Sequence, residues 1–514
     1  MSSNGENQKS IHAALISHNN DKLKELLLEL KFVLKDNAGD IKMISPLGKD
    51  YDFRDDDAES ILSYDDVKVR QFGAFCIAGL MGERSSGKIV SAYLNEDVDY
   101  VKEHYVKALS GLTKISGEER LYERLDELET LLKQEKTESH KHYVKEIRLL
   151  LGLLRTTGGK RVFTGHKVKS EIILTTNRNF REITLSEIRK FPKKTFNAGV
   201  MTICDDTDKI KNIRTYEEML FVPPFDEERY GNLWCDKDIA RIYVKDILTP
   251  YILERMIVAE GDKRLPISFR LDIKGESVRE KEEQIQRTLT EIVEEESGYG
   301  LINVRNDFDI QVRFVKRKTG VFKPLVKFCS PRDDRFSYKI SDIAAGIKPY
   351  LASLICNLCS EYMSENSRVI DPFCGAGTLL VERDKLLKTE FLFGSDIYPA
   401  ACAAAEKNLS KAGLTGRSKI INKDFLSLEH KEPFTEMITD LPFETEKKSE
   451  KDLEGIYSAF FGRAERLLCK DSYLFVYTRN STLFKKQILK NKITMIKCFE
   501  ISKREGAYLF VLKL

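Results

Sequence analysis

The sequence contains few of the residues that build metal centres in proteins. Of its 514 residues only 7 are histidine, and none lies between His166 and His430. The 10 cysteines are scattered along the chain, which favours reduced thiols over a disulfide framework. The close pair Cys356 and Cys359 has no second Cys or His pair near it. We therefore expect two buried thiols on one helix and no zinc site.

Long apolar runs and an excess of charge of one sign are also lacking. No window supplies the roughly 18 uncharged apolar residues of a membrane span, and the N-terminal stretch MSSNGENQKSIHAAL lacks the basic and apolar tandem of a signal peptide. These absences predict a cytoplasmic protein with no membrane segment. Lys and Arg number 84 against 81 Asp and Glu, a net charge of +3. A chain that is basic throughout is excluded, so any nucleic-acid surface must be local.

Residues 1–157 are predicted to form an all-α domain. Apolar residues recur at three- and four-residue spacing in segments such as DKLKELLLELKFVL and RLYERLDELETLL, and strand signals are few. Residues 65–80 align with residues 97–112 at an offset of 32 positions, and this repeat resembles HEAT repeats, whose stacked helix pairs present a surface to partners. A surface for a protein partner and a helical cap over the rest of the protein are equal alternatives.

Residues 158–335 are predicted to form an α+β region. Alternating β-branched stretches such as PISFRLDIKG and FDIQVRFVKR are separated by helical segments such as VREKEEQIQRTLTEIVEEES. The hairpin-like stretch RFVKRKTGVFKPLVK (313–327) carries six basic residues and no acid, which suits a phosphate backbone, although solvated charge on a hairpin is the alternative. The candidate RNA contacts on this hairpin are Lys316, Arg317, Lys318 and Lys323.

From residue 336 to residue 514 strands and helices alternate, which predicts a doubly wound, mainly parallel α/β sheet. The last two strands are joined by KREG (503–506), a connection too short for a parallel crossover. They should therefore form an antiparallel hairpin at one edge of the sheet. A Rossmann-like methyltransferase has that ending.

A glycine-rich turn follows the first strand of this region. Asp371 ends the strand, and Gly375 and Gly377 precede the next helix, so the backbone can approach a ligand closely at the carboxyl edge of the sheet. A dinucleotide-binding oxidoreductase is the weaker alternative, because the third glycine of GxGxxG is missing.

Two further acids follow the next two strands. Asp396 closes the second strand, where a carboxylate can accept both hydrogen bonds from a ribose diol. Asp424 follows the third strand and is suited to accept a bond from the exocyclic amine of adenine. Each acid alone is equally well explained as a helix N-cap. Both acids together, after the glycine turn, favour a nucleoside-binding site.

The fourth strand runs into Thr-Asp-Leu-Pro-Phe-Glu, and this segment indicates the kind of substrate. An aryl-amine nitrogen is a poor nucleophile and must be held in line with the methyl donor. The carboxylate of Asp440 and the backbone carbonyl beside Pro442 can accept its N–H bonds, while Phe443 offers a face on which a flipped-out base stacks. The alternative is a loop whose Pro and Phe simply pack.

Taken in order, DPFCGAGTLLVE, SD, KDF and TDLPFE resemble the THUMP-associated, amino-directed RNA methyltransferases, which make N2-methylguanosine in transfer RNA and in large-subunit ribosomal RNA. The upstream stretch FSYKISDIAAGIKPYLASLI resembles the family's segment that leads into the cofactor domain and helps close over it. The resemblance is strong over residues 336–480 and fainter over residues 160–335, where THUMP and ferredoxin-like modules are expected. It does not cover residues 1–157.

The resemblance implies a multidomain enzyme that uses S-adenosylmethionine to methylate the N2 amine of a guanosine in tRNA or rRNA. Its expected parts are the all-α HEAT-like domain (1–157), an α+β THUMP and ferredoxin-like RNA-binding region (158–335) and an α/β Rossmann-like methyltransferase domain (336–514). The cofactor residues that it implies are Asp371, Phe373, Gly375, Gly377, Thr378, Asp396 and Asp424. The residues that it implies at the target base are Asp440, Pro442 and Phe443.

Two positions depart from the family's substrate motif. Leu441 stands where many members have a first proline, and Glu444 stands where some relatives have glycine. A DNA adenine-N6 or cytosine-N4 methyltransferase uses the same nucleoside site and a similar loop, and it is the nearest enzymatic rival. The basic α+β region before the catalytic domain favours RNA. A scaffold that only binds RNA, with a degenerate methyltransferase fold, is the alternative from another class.

Overall fold

The computed structural model describes residues 10–514 except for residues 35–49, 133, 135–136, 159–161, 166–168, 190, 197–198, 206, 256, 261–264, 275–278, 318, 330–333, 345 and 444–449. By packing, the chain divides into two compact units. The first unit comprises Met1–His166 and Pro223–Pro331, and the second comprises Lys167–Val222 and Arg332–Leu514. The division into three consecutive domains made from the sequence stays a prediction.

The first unit begins with helices. They are α1 (Ile11–Ile16), α2 (Asn20–Leu34), α3 (Asp57–Leu62), α4 (Val67–Met81), α5 (Ser86–Leu94), α6 (Asp99–Leu109), α7 (Glu118–Leu132) and α8 (His140–Gly158). Leucines spaced by three and four residues give α7 one buried face, as at Leu121, Leu125 and Leu128. The two aligned stretches of the repeat form α4 and α6, which pack against each other and bury their aligned Val69 and Val101.

The middle of the chain contributes to both units. Its strands and helices are β1 (Val162–Gly165), β2 (Ser170–Thr175), α9 (Arg181–Glu187), β3 (Lys193–Phe196), β4 (Gly199–Cys204), β5 (Met219–Val222), α10 (Glu227–Tyr230), α11 (Lys237–Tyr243), α12 (Thr249–Arg255), β6 (Ile257–Glu260), β7 (Ile267–Lys274), α13 (Arg279–Glu296), β8 (Leu301–Asn303), β9 (Ile310–Lys316) and β10 (Phe322–Phe328). In the first unit the strand order is β10-β9-β7-β8, and β9 and β10 form the expected antiparallel hairpin. In the second unit β3, β4, β2 and β5 are antiparallel neighbours.

The remainder of the second unit is an α/β sheet with helices. Its elements are α14 (Pro349–Cys359), β11 (Arg368–Asp371), α15 (Thr378–Leu386), β12 (Phe391–Asp396), α16 (Pro399–Lys411), β13 (Ser418–Asn422), β14 (Phe434–Asp440), α17 (Glu450–Leu467), β15 (Leu468–Thr478), α18 (Ser481–Lys490), β16 (Thr494–Ser502) and β17 (Ala507–Lys513). The strand order is β13-β12-β11-β14-β15-β17-β16. The first five of these are parallel, and β17 is antiparallel to both its neighbours.

This topology confirms the predicted Rossmann-like domain, including the terminal hairpin at the sheet edge. In the sheet, β12 lies on one side of β11 and β14 lies on the other. The strand order therefore reverses between β11 and β14, and the carboxyl ends of these two strands flank a topological switch point. Successive residues of β11 and β14 enter opposite cores: Val369 and Ile438 join one, and Ile370 and Met437 join the other. The sheet is thus covered on both faces, as parallel sheets require.

Within the second unit, residues 167–222 are tied to the α/β sheet by polar contacts. The guanidinium of Arg214 donates to both carboxylate oxygens of Glu382 on α15, at 2.9 and 2.6 Å. Asn177 and Asn179 donate through their side-chain amides to main-chain carbonyls at the end of β16, at 2.8 and 2.9 Å. The small antiparallel sheet is therefore anchored to the α/β sheet at two separate places.

The cysteines of the close pair, Cys356 and Cys359, are both buried on α14, and none of the ten cysteines forms a disulfide. In the part of the chain that the structure describes, no group of three His, Cys, Asp or Glu side chains is arranged to hold a metal ion. Over the same residues, no helix is both long enough and apolar enough to cross a bilayer.

Candidate active site

A cavity of about 500 Å³ opens in the second unit at the carboxyl ends of β11, β12 and β14. Ten residues were assigned to the cofactor and the base from the sequence, and nine of them line this cavity. They are Asp371, Phe373, Gly375, Thr378, Asp396, Asp424, Asp440, Pro442 and Phe443. Strands that run in parallel bring their carboxyl ends to one edge, which is why residues seventy positions apart in the chain meet here.

The tenth residue, Gly377, lies behind the cavity wall. It has a φ of +75°, and a Cβ there would come within 3.2 Å of Ala405 and Leu409 on α16. Glycine is therefore required at this position by helix packing and by the left-handed backbone. Gly375, with a φ of +52°, does line the cavity, and a Cβ there would approach Ile343 at 3.1 Å.

The main chain holds the carboxylate of Asp396 in place. One of its oxygens accepts the backbone N–H of Gly375 at 3.0 Å, and the other accepts that of Tyr398 at 2.9 Å. A carboxylate oxygen has two lone pairs, so each oxygen keeps one for a ligand. The glycine turn thus orients this acid toward the cavity, which suits the recognition of a diol.

Asp424 is placed differently from Asp396. Strand β13 ends at Asn422, two residues before this acid, so Asp424 follows the third strand of the sequence analysis. Asp424 is exposed and caps the short turn that follows, because one carboxylate oxygen accepts the backbone N–H of Leu426 at 2.9 Å. One oxygen of Asp424 thus acts as the N-cap that was considered as the alternative. The residue also lines the cavity.

Asp371 is a buried acid at the centre of the site, only 1% exposed. One of its oxygens accepts the Thr439 hydroxyl at 2.7 Å and the Phe373 backbone N–H at 3.1 Å. Burial raises the pKa of this carboxyl to about 8; these two hydrogen bonds oppose the rise, and the nearby carboxyls of Asp440 and Asp396 add to it. Thr439 was missed in the sequence, although it directly precedes Asp440 in the substrate motif.

Asp440 ends β14 with a carboxylate oxygen, Oδ1, that is buried and has no hydrogen-bond partner among the described residues. Burial raises the pKa of this carboxyl to about 7, and the positive charge of Arg479 opposes that rise. Buried polar atoms in folded proteins are normally hydrogen-bonded. An acceptor left over in a cavity wall is therefore available to a donor on a ligand.

The loop after Asp440 is held by neighbouring elements. The backbone N–H of Leu441 donates to the carbonyl of Tyr477 on β15 at 2.9 Å. The hydroxyl of Tyr457, on α17, donates to the carbonyl of Pro442 at 2.9 Å. One lone pair of that carbonyl is thus in use and one is left. No local sequence pattern points to Tyr457, which reaches the loop through the packing of α17.

Residues upstream of α14 close one side of the cavity. Ile343, Gly346 and Ile347 line it, as expected for the segment that leads into the cofactor domain. The side chain of Asn408, on α16, fixes this segment: it accepts the backbone N–H of Ser341 at 3.0 Å and donates to the Ser341 carbonyl at 2.8 Å. The same amide donates to a carbonyl of the glycine turn at 2.9 Å.

The basic hairpin lies in the first unit. Arg317 forms an ion pair with Glu227 at 2.9 Å, and the Thr319 hydroxyl donates to the same carboxylate. The ammonium of Lys316 lies 5.9 Å from the centre of the Phe322 ring, and Lys323 follows on β10. Lys318 lies outside the described residues. One of the predicted RNA contacts, Arg317, is thus already paired with an acid.

The residues present fit S-adenosylmethionine. The cavity has the volume of an ordinary small-ligand site. Asp396 offers oriented acceptors for the ribose. The hydroxyl of Thr378, at the start of α15, is buried on the cavity wall with no partner among the described residues. A helix N-terminus with a buried hydroxyl suits the carboxylate of the methionine part.

Residues 337–505 match the model of a family described as RMKL-like, methyltransferase domain. The U6 snRNA (guanine-N(2))-methyltransferase THUMPD2 of Mus musculus is 31% identical over 113 residues, which are 22% of this chain and 21% of that protein. Its Homo sapiens counterpart is 27% identical over 113 residues, 22% of each chain. The matched part of this chain thus spans about a fifth of the length of these relatives. These findings confirm the methyltransferase domain over residues 337–505 and the resemblance of the chain to guanine-N2 RNA methylases.

Solved structures similar to this chain include TrmN from Thermus thermophilus, with 17% identity, a TM-score of 0.49 and coverage of 67% of this chain and 99% of that one. SMU.472, a putative methyltransferase complexed with SAH, has 13% identity, a TM-score of 0.48 and coverage of 68% and 98%. These scores establish no shared fold by themselves, so the fold assignment rests on the strand order described above.

Proposed function

We propose that this chain is an S-adenosylmethionine-dependent RNA methyltransferase that methylates the exocyclic N2 amine of a guanosine. The observation that carries the proposal is the unpartnered, buried Oδ1 of Asp440 on the wall of the cavity that also holds Asp396. An acceptor for an amine and acceptors for a ribose line one cavity, in a domain that matches a methyltransferase family.

The chain's own groups account for the chemistry at the amine. When bound, S-adenosylmethionine supplies an activated methyl group on a sulfonium. Transfer of that methyl group to the amine would leave S-adenosylhomocysteine, and the proton lost by the amine would pass to the Asp440 carboxylate that accepts its N–H bond. Asp440 accepts an N–H bond of the amine, which orients its lone pair toward the methyl carbon. Phe443 offers its ring to the flipped-out base.

The cofactor residues have distinct roles in this proposal. Asp396 accepts hydrogen bonds from the ribose hydroxyls, and the second oxygen of Asp424 accepts one from the adenine amine. Asp371, Phe373, Gly375 and Thr378 surround the methionine part, and Gly377 allows α16 to pack closely behind them.

The proposed substrate is a structured RNA. Transfer RNA and ribosomal RNA follow from the family resemblance, and U6 snRNA follows from the activity named for the similar THUMPD2 proteins. The THUMP and ferredoxin-like region would grip the RNA, with Lys316, Lys318 and Lys323 at phosphates and Arg317 contributing once its pair with Glu227 opens. The HEAT-like helices would present a surface to a protein partner, and the cytoplasm is the proposed location.

Mass spectrometry of nucleosides tests this function in cells. Total RNA from cells with and without the gene is fractionated into small nuclear, transfer and ribosomal RNA and digested to nucleosides. We expect N2-methylguanosine to fall in one fraction when the gene is removed, and to return when the gene is restored. Unchanged N2-methylguanosine in all three fractions, whether or not another methylated nucleoside is lost, would contradict the proposal.

A further inference from the structure

An arginine that no family motif assigns lies beside the substrate loop. Strands β14 and β15 are parallel neighbours, and Asp440 pairs in register with Tyr477. Arg479 comes two residues later, just beyond the end of β15. The register therefore brings Arg479 to the same edge of the sheet as the proposed acceptor for the amine.

The guanidinium of Arg479 stacks on the ring that is proposed to receive the base. Its central carbon lies 3.9 Å from the centre of the Phe443 ring, well inside the range of a cation–π contact. Its Nε is buried and has no hydrogen-bond partner in the part of the chain that the structure describes. The guanidinium thus lies over the Phe443 ring.

The charge of Arg479 also acts on Asp440. The titratable groups that interact with this carboxyl are Asp371 on β11, and Tyr477 and Arg479 on and beyond β15. Among the described residues, Arg479 is the cation whose charge opposes protonation of Asp440. Tyr477 interacts with the same two residues. Burial and the Asp440 charge raise the pKa of Tyr477 to about 12, and Arg479 opposes that rise.

We propose that Arg479 is a positioning residue of the methylation site: its charge favours the carboxylate form of Asp440, which can accept the amine, and its stacking fixes the Phe443 ring. The inference rests on the proposed function. A protonated Asp440 would present an O–H donor to the amine and compete for its lone pair. A mobile Phe443 ring would not define where the base lies, so a single side chain serves both requirements.

The test measures the protonation of Asp440 directly, without RNA. Full-length protein is labelled with aspartate carrying ¹³C at the side-chain carboxyl, and the carboxyl signals are titrated by NMR from pH 5 to 9. The Asp440 signal is assigned by its loss in Asp440→Asn. We expect its midpoint to rise by about one pH unit in Arg479→Gln, because that variant removes the positive charge that opposes protonation of this buried carboxyl.

The same variants are assayed for methyl transfer from labelled S-adenosylmethionine to total RNA from cells that lack the gene. The low-pH fall in the kcat/KM of Arg479→Gln should move upward together with the NMR midpoint. Arg479→Lys should keep the wild-type midpoint but raise the KM for RNA several-fold, because it keeps the charge and loses the planar stack. The matched control is Arg466→Gln, which removes an exposed charge in the last turn of α17. That turn leads into the start of β15, whereas Arg479 follows the end of β15.

The possible results separate the two proposals. Equal NMR midpoints in wild type and Arg479→Gln would overturn the role of Arg479, whatever the protein methylates. Failure of the wild-type protein to methylate a guanine amine would overturn the proposed function, while the NMR titration still decides the Arg479 inference. If Arg479→Gln does not fold, Arg479→Met removes the same charge and keeps apolar contact with Phe443, so the midpoint is measured in that variant.

Discussion

The two ends of the cavity differ in how their acids are held. At the end of β12 both oxygens of Asp396 accept backbone N–H groups, from Gly375 and Tyr398. At the end of β14, Oδ1 of Asp440 is buried without a partner among the described residues. The cofactor end is therefore preorganised by the main chain, whereas the base end presents an acceptor whose partner must come from a ligand.

This difference separates binding from chemistry. A carboxylate held by the main chain keeps its geometry in the absence of a ligand, so its removal should be felt mainly as lost cofactor affinity. An acceptor that acts on the amine is needed most in the transition state, so its removal should be felt mainly as lost turnover. Variants at the two acids should therefore fail in different assays.

The largest effect is expected for Asp440→Ala. Methyl transfer to RNA should fall by about 100- to 1,000-fold, the cost of removing a polar group that is aligned with the transition state. Affinity for S-adenosylmethionine, measured by calorimetry, should stay near that of the wild type. If turnover survives, or if cofactor binding is lost instead, the proposed difference between the two ends of the cavity is wrong.

Next in size is Asp396→Ala, which should weaken S-adenosylmethionine binding by about 1–3 kcal/mol, because the ribose hydroxyls lose charged acceptors. The backbone N–H of Gly375 would also lose its partner. Asp424→Ala is the matched comparison, and it should cost less because that acid is exposed and one of its oxygens caps a turn. Calorimetry on both variants shows which one loses more affinity for S-adenosylmethionine. Equal losses of affinity would contradict the proposed difference between the two acids.

Much of the cofactor end could be predicted from the sequence. Asp371, Gly375 and Asp396 each follow a strand directly, and parallel strands bring such positions to one edge whatever their registers. The base end was predicted less completely. Tyr457 and Arg479 reach the loop through the packing of α17 and the register of β14 against β15, neither of which leaves a local pattern. Gly377, which was assigned to the cofactor, is not among the residues that line the cavity, and a Cβ there would crowd α16.

A smaller effect is expected at the ring of the substrate loop. Phe443→Ala should weaken productive RNA binding by about 1–3 kcal/mol, the value of stacking one base on an aromatic ring. Phe443→Tyr should be tolerated because the ring is kept. The split between KM and kcat measures this: the KM for RNA should rise while cofactor affinity is unchanged. A normal KM for Phe443→Ala would mean that the base does not stack there.

The smallest effect per side chain is expected on the basic hairpin of the first unit. Alanine at Lys316 and Lys318 should weaken RNA binding at all sequences and flatten its salt dependence by up to about one log unit per lost phosphate contact. Arg317→Ala should act in the same direction, and it also removes the ion pair with Glu227. Binding isotherms at several salt concentrations give the slopes. Wild-type affinity and slope in all variants would leave the hairpin as a solvated surface.

The central claim, transfer of a methyl group to a guanine amine at Asp440, is tested most directly by identifying the product. Total RNA from cells that lack the gene is incubated with full-length protein and S-adenosylmethionine carrying a deuterated methyl group, then digested and analysed by mass spectrometry. We predict deuterated N2-methylguanosine with the wild-type protein and almost none with Asp440→Ala, although both bind the cofactor. Label on another atom, or equal label with both proteins, would contradict this account.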